Sequence, residues 1–401
     1  MRGIAAPIVL AALGYFVDIY DLILFSIVRV KSLQSLGFSG DALLSNGVRL
    51  LNMQMAGMLL GGVLWGVLGD KKGRLSVLFG SIALYSAANI ANGFCGSIGA
   101  YAAWRFLAGV GLAGELGAGI TLVSEIMSKE NRGYGTMIVA GVGIFGGVAA
   151  GVVGDTFDWR VAFWIGGGLG LFLLALRVGV YESGMFEQLK GSKVARGDFR
   201  TLLASPDRAL RYLCGIMAGV PIWFVIGILV TYAPEFGRAL GMPVLPNPAR
   251  SVMLLYLGCA LGDFVSGGLS QLLGSRRKVA LGFIAAVSAL VVLYLTARVA
   301  SLSYHYALCL LLGLATGYWA IFVTMAAEQF GTNIRATVTT TTPNFVRGSL
   351  VPMSLAFQAL KTKWGIIAAA STVGGAALAA AFLAVLCLRE TYGRDLDYCE
   401  E

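Results

Sequence analysis

Twelve apolar stretches leave this chain few ways to fold, each close to the roughly 20 residues a helix needs to cross a bilayer. They run approximately 7–30, 46–69, 75–96, 99–126, 135–154, 160–180, 211–233, 250–273, 279–298, 303–327, 338–360 and 364–388. In hydrocarbon the backbone must pair its own N–H and C=O groups, so such stretches become membrane-spanning helices. The 57% of hydrophobic residues and 13% of charged ones place the chain outside the range of soluble globular proteins. Its 55 glycines fall inside the apolar runs, where they let helices approach closely. The net charge of +9 does not point to nucleic acid, because the bases gather at segment ends and so set membrane orientation. The cysteines at Cys95, Cys214, Cys259, Cys309, Cys387 and Cys399 show no metal-ligand spacing. All but Cys399 read as small core residues in apolar runs.

The polar stretch 181–210, with Lys190, Lys193, Arg196, Arg200 and Arg208, divides the segments into two sets of six. The expected organisation is a bundle over 1–180, a linker over 181–210, and a second bundle with a short tail over 211–401. Lysine and arginine placement puts Lys71, Lys72, Arg74, Lys129, Arg132, the linker, Arg276, Arg277, Lys278 and Arg335 on one side. That side is expected to be the cytoplasm, with both termini in it, and a bacterial inner membrane is the expected location. The first segment contains Asp18 and Asp21 and reads as a retained helix, not a signal peptide.

The second segment ends in Gly66-Val-Leu-Gly-Asp70-Lys-Lys-Gly73-Arg74. This stretch resembles the G-x-L-x-D-x-x-G-R loop signature of the major facilitator superfamily. Gly57, Gly61, Gly66 and Gly73 recur as Gly258, Gly262, Gly267 and Gly274 at a constant offset of 201 residues, and Gln271 replaces Asp70. Parallel repeats about an axis along the membrane normal are the build expected of that class. The resemblance implies an all-α fold of twelve transmembrane helices in two pseudo-symmetric six-helix bundles. It also implies a cytoplasmic gate held by Asp70 and Arg74. Glu125 and Arg132, near the same surface, suit a gate or a solvated pair.

Intramembrane charges carry the candidate chemistry, since each costs about 2.5–3.5 kcal/mol on insertion scales and needs a partner. Asp18 and Asp21 lie three apart in the first segment, on one helical face. Arg105 stands near the outer end of the fourth segment, with Glu115 about 15 Å further in. Asp263 is mid-segment in the eighth, as a second proton site or as partner to a neighbouring arginine. Arg347 lies well inside the eleventh with no acid near it in sequence. It suits bidentate binding of a carboxylate or phosphate, or a permanent ion pair with an acid on another helix. Trp319 is a cavity-lining or core-packing candidate, and Tyr20 and Asn344 complete the expected substrate contacts. His305, between Tyr304 and Tyr306, reads as part of an interfacial aromatic cluster.

The run from Glu328 to Thr337 is similar to the E-x-F-P-T-x-x-R-x-T signature of sugar, phosphate and organic-ion porters, with Gly331 in place of proline. Gly14, Phe16, Asp18, Tyr20, Asp21 and Leu22 resemble the first helix of phosphate:proton symporters. Gly114-Glu115, Trp159-Arg160 and Glu182-Ser183-Gly184-Met185-Phe186 resemble metabolite:proton symporters. The expected activity is proton-coupled import of a small anionic or zwitterionic metabolite by alternating access. Arg347 and Arg105 would bind substrate, and Asp18, Asp21, Glu115 or Asp263 would carry the proton. A proton-independent facilitator or exchanger and an efflux transporter remain open, although the fifth segment lacks the G-P step of drug antiporters. No nucleophile triad, phosphate loop or metal cluster suggests an enzyme. The expected partners are a small-molecule substrate and the bilayer, with the proton as coupling ion, no cofactor, and a monomer as the acting unit.

Overall fold

A computed structural model describes residues 2–72, 74–115, 132–182, 202, 204–299 and 301–393. Among these residues every regular element is a helix. The first half contains α1 (Arg2–Ser35), α2 (Gly40–Lys72), α3 (Arg74–Asn92), α4 (Ile98–Leu112), α5 (Arg132–Thr156) and α6 (Trp159–Glu182). The second half opens with α7 (Pro206–Phe224), which continues as a π-helix over Val225–Val230, and the short α8 (Ala233–Ala239). It goes on through α9 (Pro248–Leu272), α10 (Arg276–Thr296), α11 (Leu302–Thr316), α12 (Trp319–Glu328), α13 (Thr332–Gly348) and α14 (Leu350–Cys387). Most of the expected linker lies outside the described residues.

Several helices start where a polar side chain can occupy the free N–H groups of the first turn. Ser97 Oγ accepts from Ala100 N–H at 3.3 Å, Asn247 Oδ1 from Ala249 N–H at 2.8 Å, and Ser275 Oγ from Lys278 N–H at 3.1 Å. Outward-facing Phe172, Val292 and Leu383 are each about 60% exposed, as apolar side chains against lipid would be.

One of the expected spans is discontinuous. The tenth breaks at Gly317–Tyr318 into α11 and α12. The eleventh runs on through Ser349, which keeps helical dihedrals and accepts from Met353 N–H while its own N–H donates to the Phe345 carbonyl, so α13 and the start of α14 form one span. Gly365, at φ +80°, separates the remainder of α14 as the twelfth span.

The internal repeat is built into the packing. Gly57 and Gly61 bring α2 against the carbonyls of Phe106 and Val110 in α4, and Gly109 returns the contact to the Gln54 carbonyl. Gly258 and Gly262 bring α9 against the carbonyls of Leu310 and Leu314 in α11, and Gly313 meets the Leu255 carbonyl. The same pair of helices thus crosses through the same glycines in each half. Gly66 and Gly267 differ from expectation, for a Cβ on either would meet nothing within 4 Å. Among the described glycines of the two series, the first two of each make the close crossing.

Cys95, Cys214, Cys259 and Cys309 are buried as expected, whereas Cys387 is exposed at the end of α14. His305 is buried among aromatic rings. Its Nε2 lies 3.0 Å from Ser251 Oγ, and its ring packs against Tyr294 and Tyr306.

Candidate functional site

The crossing of α9 with the broken pair α11/α12 shapes the site. Gly262 and Gly317 meet backbone to backbone, so neither position has room for a Cβ. The chain leaves helical geometry there, and α12 restarts at Trp319 with its first N–H groups free of intrahelical partners. Asp263, the next residue along α9, accepts from Ala320 N–H through Oδ1 at 3.2 Å. A carboxylate at a helix N-terminus is stabilised by the local dipole. Asp263 Oδ2 has no hydrogen-bond partner, although the residue is only 8% exposed.

Beside this junction lies a cavity between the two halves. Small-molecule sites are typically lined by apolar and aromatic groups with a few convergent polar ones. Here α1 and α5 supply Tyr15, Ile19, Leu22 and Ile144. The second half supplies Trp223, Tyr256 and Trp319 as aromatic walls, with Asp263 and Arg347 as its charges.

Arg347 is 1% exposed and lies across the cavity from the first bundle. Its Nη2 is 3.7 Å from Asp18 Oδ2, and its guanidinium carbon is 5.7 Å from the Trp319 ring centre. At 3.7 Å the pair interacts by charge without a hydrogen bond. Nε and Nη1 of Arg347 and both oxygens of Asp18 have no hydrogen-bond partner. Of the two readings of Arg347, substrate anchor or ion pair with an acid on another helix, the geometry contains elements of both.

The two acids of α1 diverge. Asp18 faces Arg347, whereas Asp21 turns into the first bundle against Gly166 of α6, within the field of Arg105. Arg105 lies over the rings of Phe25 and Phe163, at 5.7 and 5.2 Å, and its three side-chain nitrogens lack hydrogen-bond partners. It does not line the cavity, so the expectation of direct substrate contact gives way to a position inside the bundle. Glu115 is drawn away as well, into a bidentate pair with Arg177 at 2.5 and 3.1 Å. Gly14 of α1 makes room for this pair, since a Cβ there would collide with both Glu115 Oε1 and Arg177 Nη2.

Two further expected contacts bond to backbone carbonyls. Tyr20 is buried in the first bundle, its hydroxyl donating to the Ala162 carbonyl at 3.0 Å, which ties α1 to α6. Asn344 donates to the Ala113 carbonyl at 3.0 Å and to the Thr340 carbonyl at 3.1 Å, so it joins α13 to the end of α4. Trp319 and Asp263 do line the cavity. The side chains of Asp70, Arg74, Glu125 and Arg132, expected as the gate, lie outside the described residues.

Sequence reading passed over Arg177, Tyr15, Tyr256 and a bridge between the halves at the face remote from the termini. Arg29 of α1 donates to both carboxylate oxygens of Glu235, at 2.7 and 2.8 Å, and to the Thr231 carbonyl at 3.1 Å. Its guanidinium carbon lies 4.6 Å from the Tyr232 ring centre. At the same face Asn247 donates to Asp155 at 2.7 Å and Lys361 to Asp41 at 2.6 Å. Arg29 and Arg177 were detectable as lone bases in apolar runs, the signal that drew attention to Arg347.

The profile of the Major Facilitator Superfamily matches residues 11–350. The chain belongs to this superfamily. As a major facilitator it is a membrane transporter, not an enzyme. It is similar to the 3-(3-hydroxy-phenyl)propionate transporter of Escherichia coli (strain K12), at 29% identity over 70% of this chain and 69% of that protein. It is also similar to the gentisate transporter of Corynebacterium glutamicum, at 26% identity over 94% of this chain and 86% of that protein. Among solved structures, a D-xylose-proton symporter superposes with a TM-score of 0.70 at 17% identity, covering 98% of this chain and all of the other. That likeness establishes the two-bundle, twelve-helix fold.

Proposed function

We propose that this major facilitator imports a small aromatic carboxylate together with a proton, by alternating access. The observation that carries the reading is the Asp18–Arg347 pair, two opposite charges from different bundles held 3.7 Å apart beside an aromatic-walled cavity. A guanidinium is a fitting partner for a carboxylate, and the unpartnered Nε and Nη1 each share an edge with Nη2 at which two carboxylate oxygens can bind. Protonating Asp18 removes the competing anion, so Arg347 is released to the substrate. Loading both species leaves Arg347 balanced by one carboxylate, and the bundles can then rock without exposing an uncompensated buried charge. The substrate class also draws on two of the relatives named above, the transporters named for 3-(3-hydroxy-phenyl)propionate and for gentisate.

In this reading Asp21, with Arg105 beside it, is a second station for the proton inside the first bundle. Arg29–Glu235 closes the outer face, which fits a state sealed from outside, and Asp70, Arg74, Glu125 and Arg132 form the cytoplasmic gate. The chain acts as a monomer in a bacterial inner membrane with both termini in the cytoplasm. The proton is the only coupling species and no cofactor takes part.

The test is counterflow in proteoliposomes, using labelled benzoate against a panel of aliphatic carboxylates, sugars, phosphate and amino acids. Selective exchange of the aromatic carboxylate, reduced 100-fold or more in Arg347→Ala, is the expected result. Loss of one charge-assisted bidentate contact accounts for an effect of that order. Exchange that prefers sugars, or that ignores Arg347→Ala, would contradict the reading.

A further inference from the structure

We infer that Asp263 reads a hydrogen-bond donor on the substrate's ring, such as a phenolic hydroxyl, at a subsite separate from the carboxylate anchor. The inference rests on the aromatic-carboxylate reading above and adds a second polar contact to it.

Asp263 is more than nine-tenths buried, lines the same cavity as Arg347, and divides its carboxylate between two tasks. Oδ1 is committed to Ala320 N–H, where it fixes the restart of the broken tenth span. Oδ2 is unpartnered. A buried carboxylate oxygen without a partner is costly, and an ionised carboxylate can only accept. The complement is therefore a donor delivered by the ligand. A second substrate carboxylate would meet repulsion from Asp263, so Asp263 also selects against aromatic diacids.

The subsite cannot move independently of the fold. The α9–α12 junction is locked by the Gly262–Gly317 contact, and Trp319, two residues beyond Gly317, forms the adjoining wall. Asp263 thus presents Oδ2 from a rigid corner, the condition under which one hydrogen bond discriminates strongly. A site built to bond a hydroxyl rejects the analogue lacking it, because the protein's own polar atom is then left unpaired.

The experiment measures, in one proteoliposome preparation, inhibition of labelled-benzoate counterflow by 3-hydroxybenzoate and 4-hydroxybenzoate, and by their methyl ethers, which can accept but not donate. The expected result is that one hydroxybenzoate binds about 10- to 100-fold more tightly than benzoate, and its ether no better than benzoate. In Asp263→Ala the hydroxyl preference falls towards one. In Asp263→Asn, which keeps an acceptor for Ala320 N–H, it falls by an intermediate amount. Equal binding of hydroxybenzoates and benzoate by the unaltered protein overturns the inference while leaving the aromatic-carboxylate reading intact. So does a preference unchanged in both variants, or one shared by the ethers. Absence of benzoate exchange overturns that reading and the inference with it.

Discussion

A buried charge in this membrane protein acquires its role from the partner that the fold brings to it. Glu115 and Arg177 show this most plainly, since their bidentate contact uses both carboxylate oxygens and two guanidinium nitrogens. Such a pair holds the end of α4 to α6. Glu115→Gln should therefore act on stability, at a cost of about 3–5 kcal/mol for stranding the arginine. Pairing it with Arg177→Met should recover most of the loss, because the uncompensated cation is then gone. Thermal unfolding in detergent checks this, and additive losses in the double variant would contradict it. Asp18 differs, because its pair with Arg347 is loose and its oxygens are otherwise unpartnered. Sequence marked both carboxylates equally, as intramembrane acids. It could not distinguish them, because what divides them is the depth and direction of arginines on α6 and α13.

At the scale of elements, the twelve spans were legible because hydrocarbon imposes one length and one secondary structure. The break in the tenth was not. Gly317 sits in a run as apolar as its neighbours, and the span parts where Gly262 presses on it. The glycine series was legible as a repeat, yet Gly66 and Gly267 do not pack as Gly57, Gly61, Gly258 and Gly262 do. Gly61→Ala and Gly262→Ala place a methyl against backbone, so each should lower stability by several kcal/mol or prevent folding, since backbone cannot yield as a side chain does. Gly66→Ala and Gly267→Ala meet open space and should be neutral or slightly stabilising, as alanine favours helix by about 1 kcal/mol. Melting temperatures of the four variants decide this, and a symmetric loss at all four would refute the assignment. Tyr20 and Asn344 illustrate the same lesson for side chains. Each sits on a motif-bearing helix near the site, but faces a neighbouring backbone carbonyl instead of the cavity.

At the scale of the whole molecule, the two halves meet around one central charge pair and a set of polar bridges at one face. Arg29–Glu235 and Asp155–Asn247 bind the remote face across the halves, while Asp18–Arg347 joins them beside the cavity. In the proposed cycle a proton on Asp18 decides whether the bundles hold each other directly or through a substrate. The measurement that tests this most directly is proton flux into proteoliposomes loaded with a pH dye and challenged with an aromatic carboxylate. The unaltered protein should acidify the lumen as substrate enters. Asp18→Asn should abolish the proton signal while counterflow of the same substrate persists, because the amide leaves Arg347 free but carries no proton. Substrate entry without acidification in the unaltered protein, or acidification undiminished in Asp18→Asn, would contradict the account.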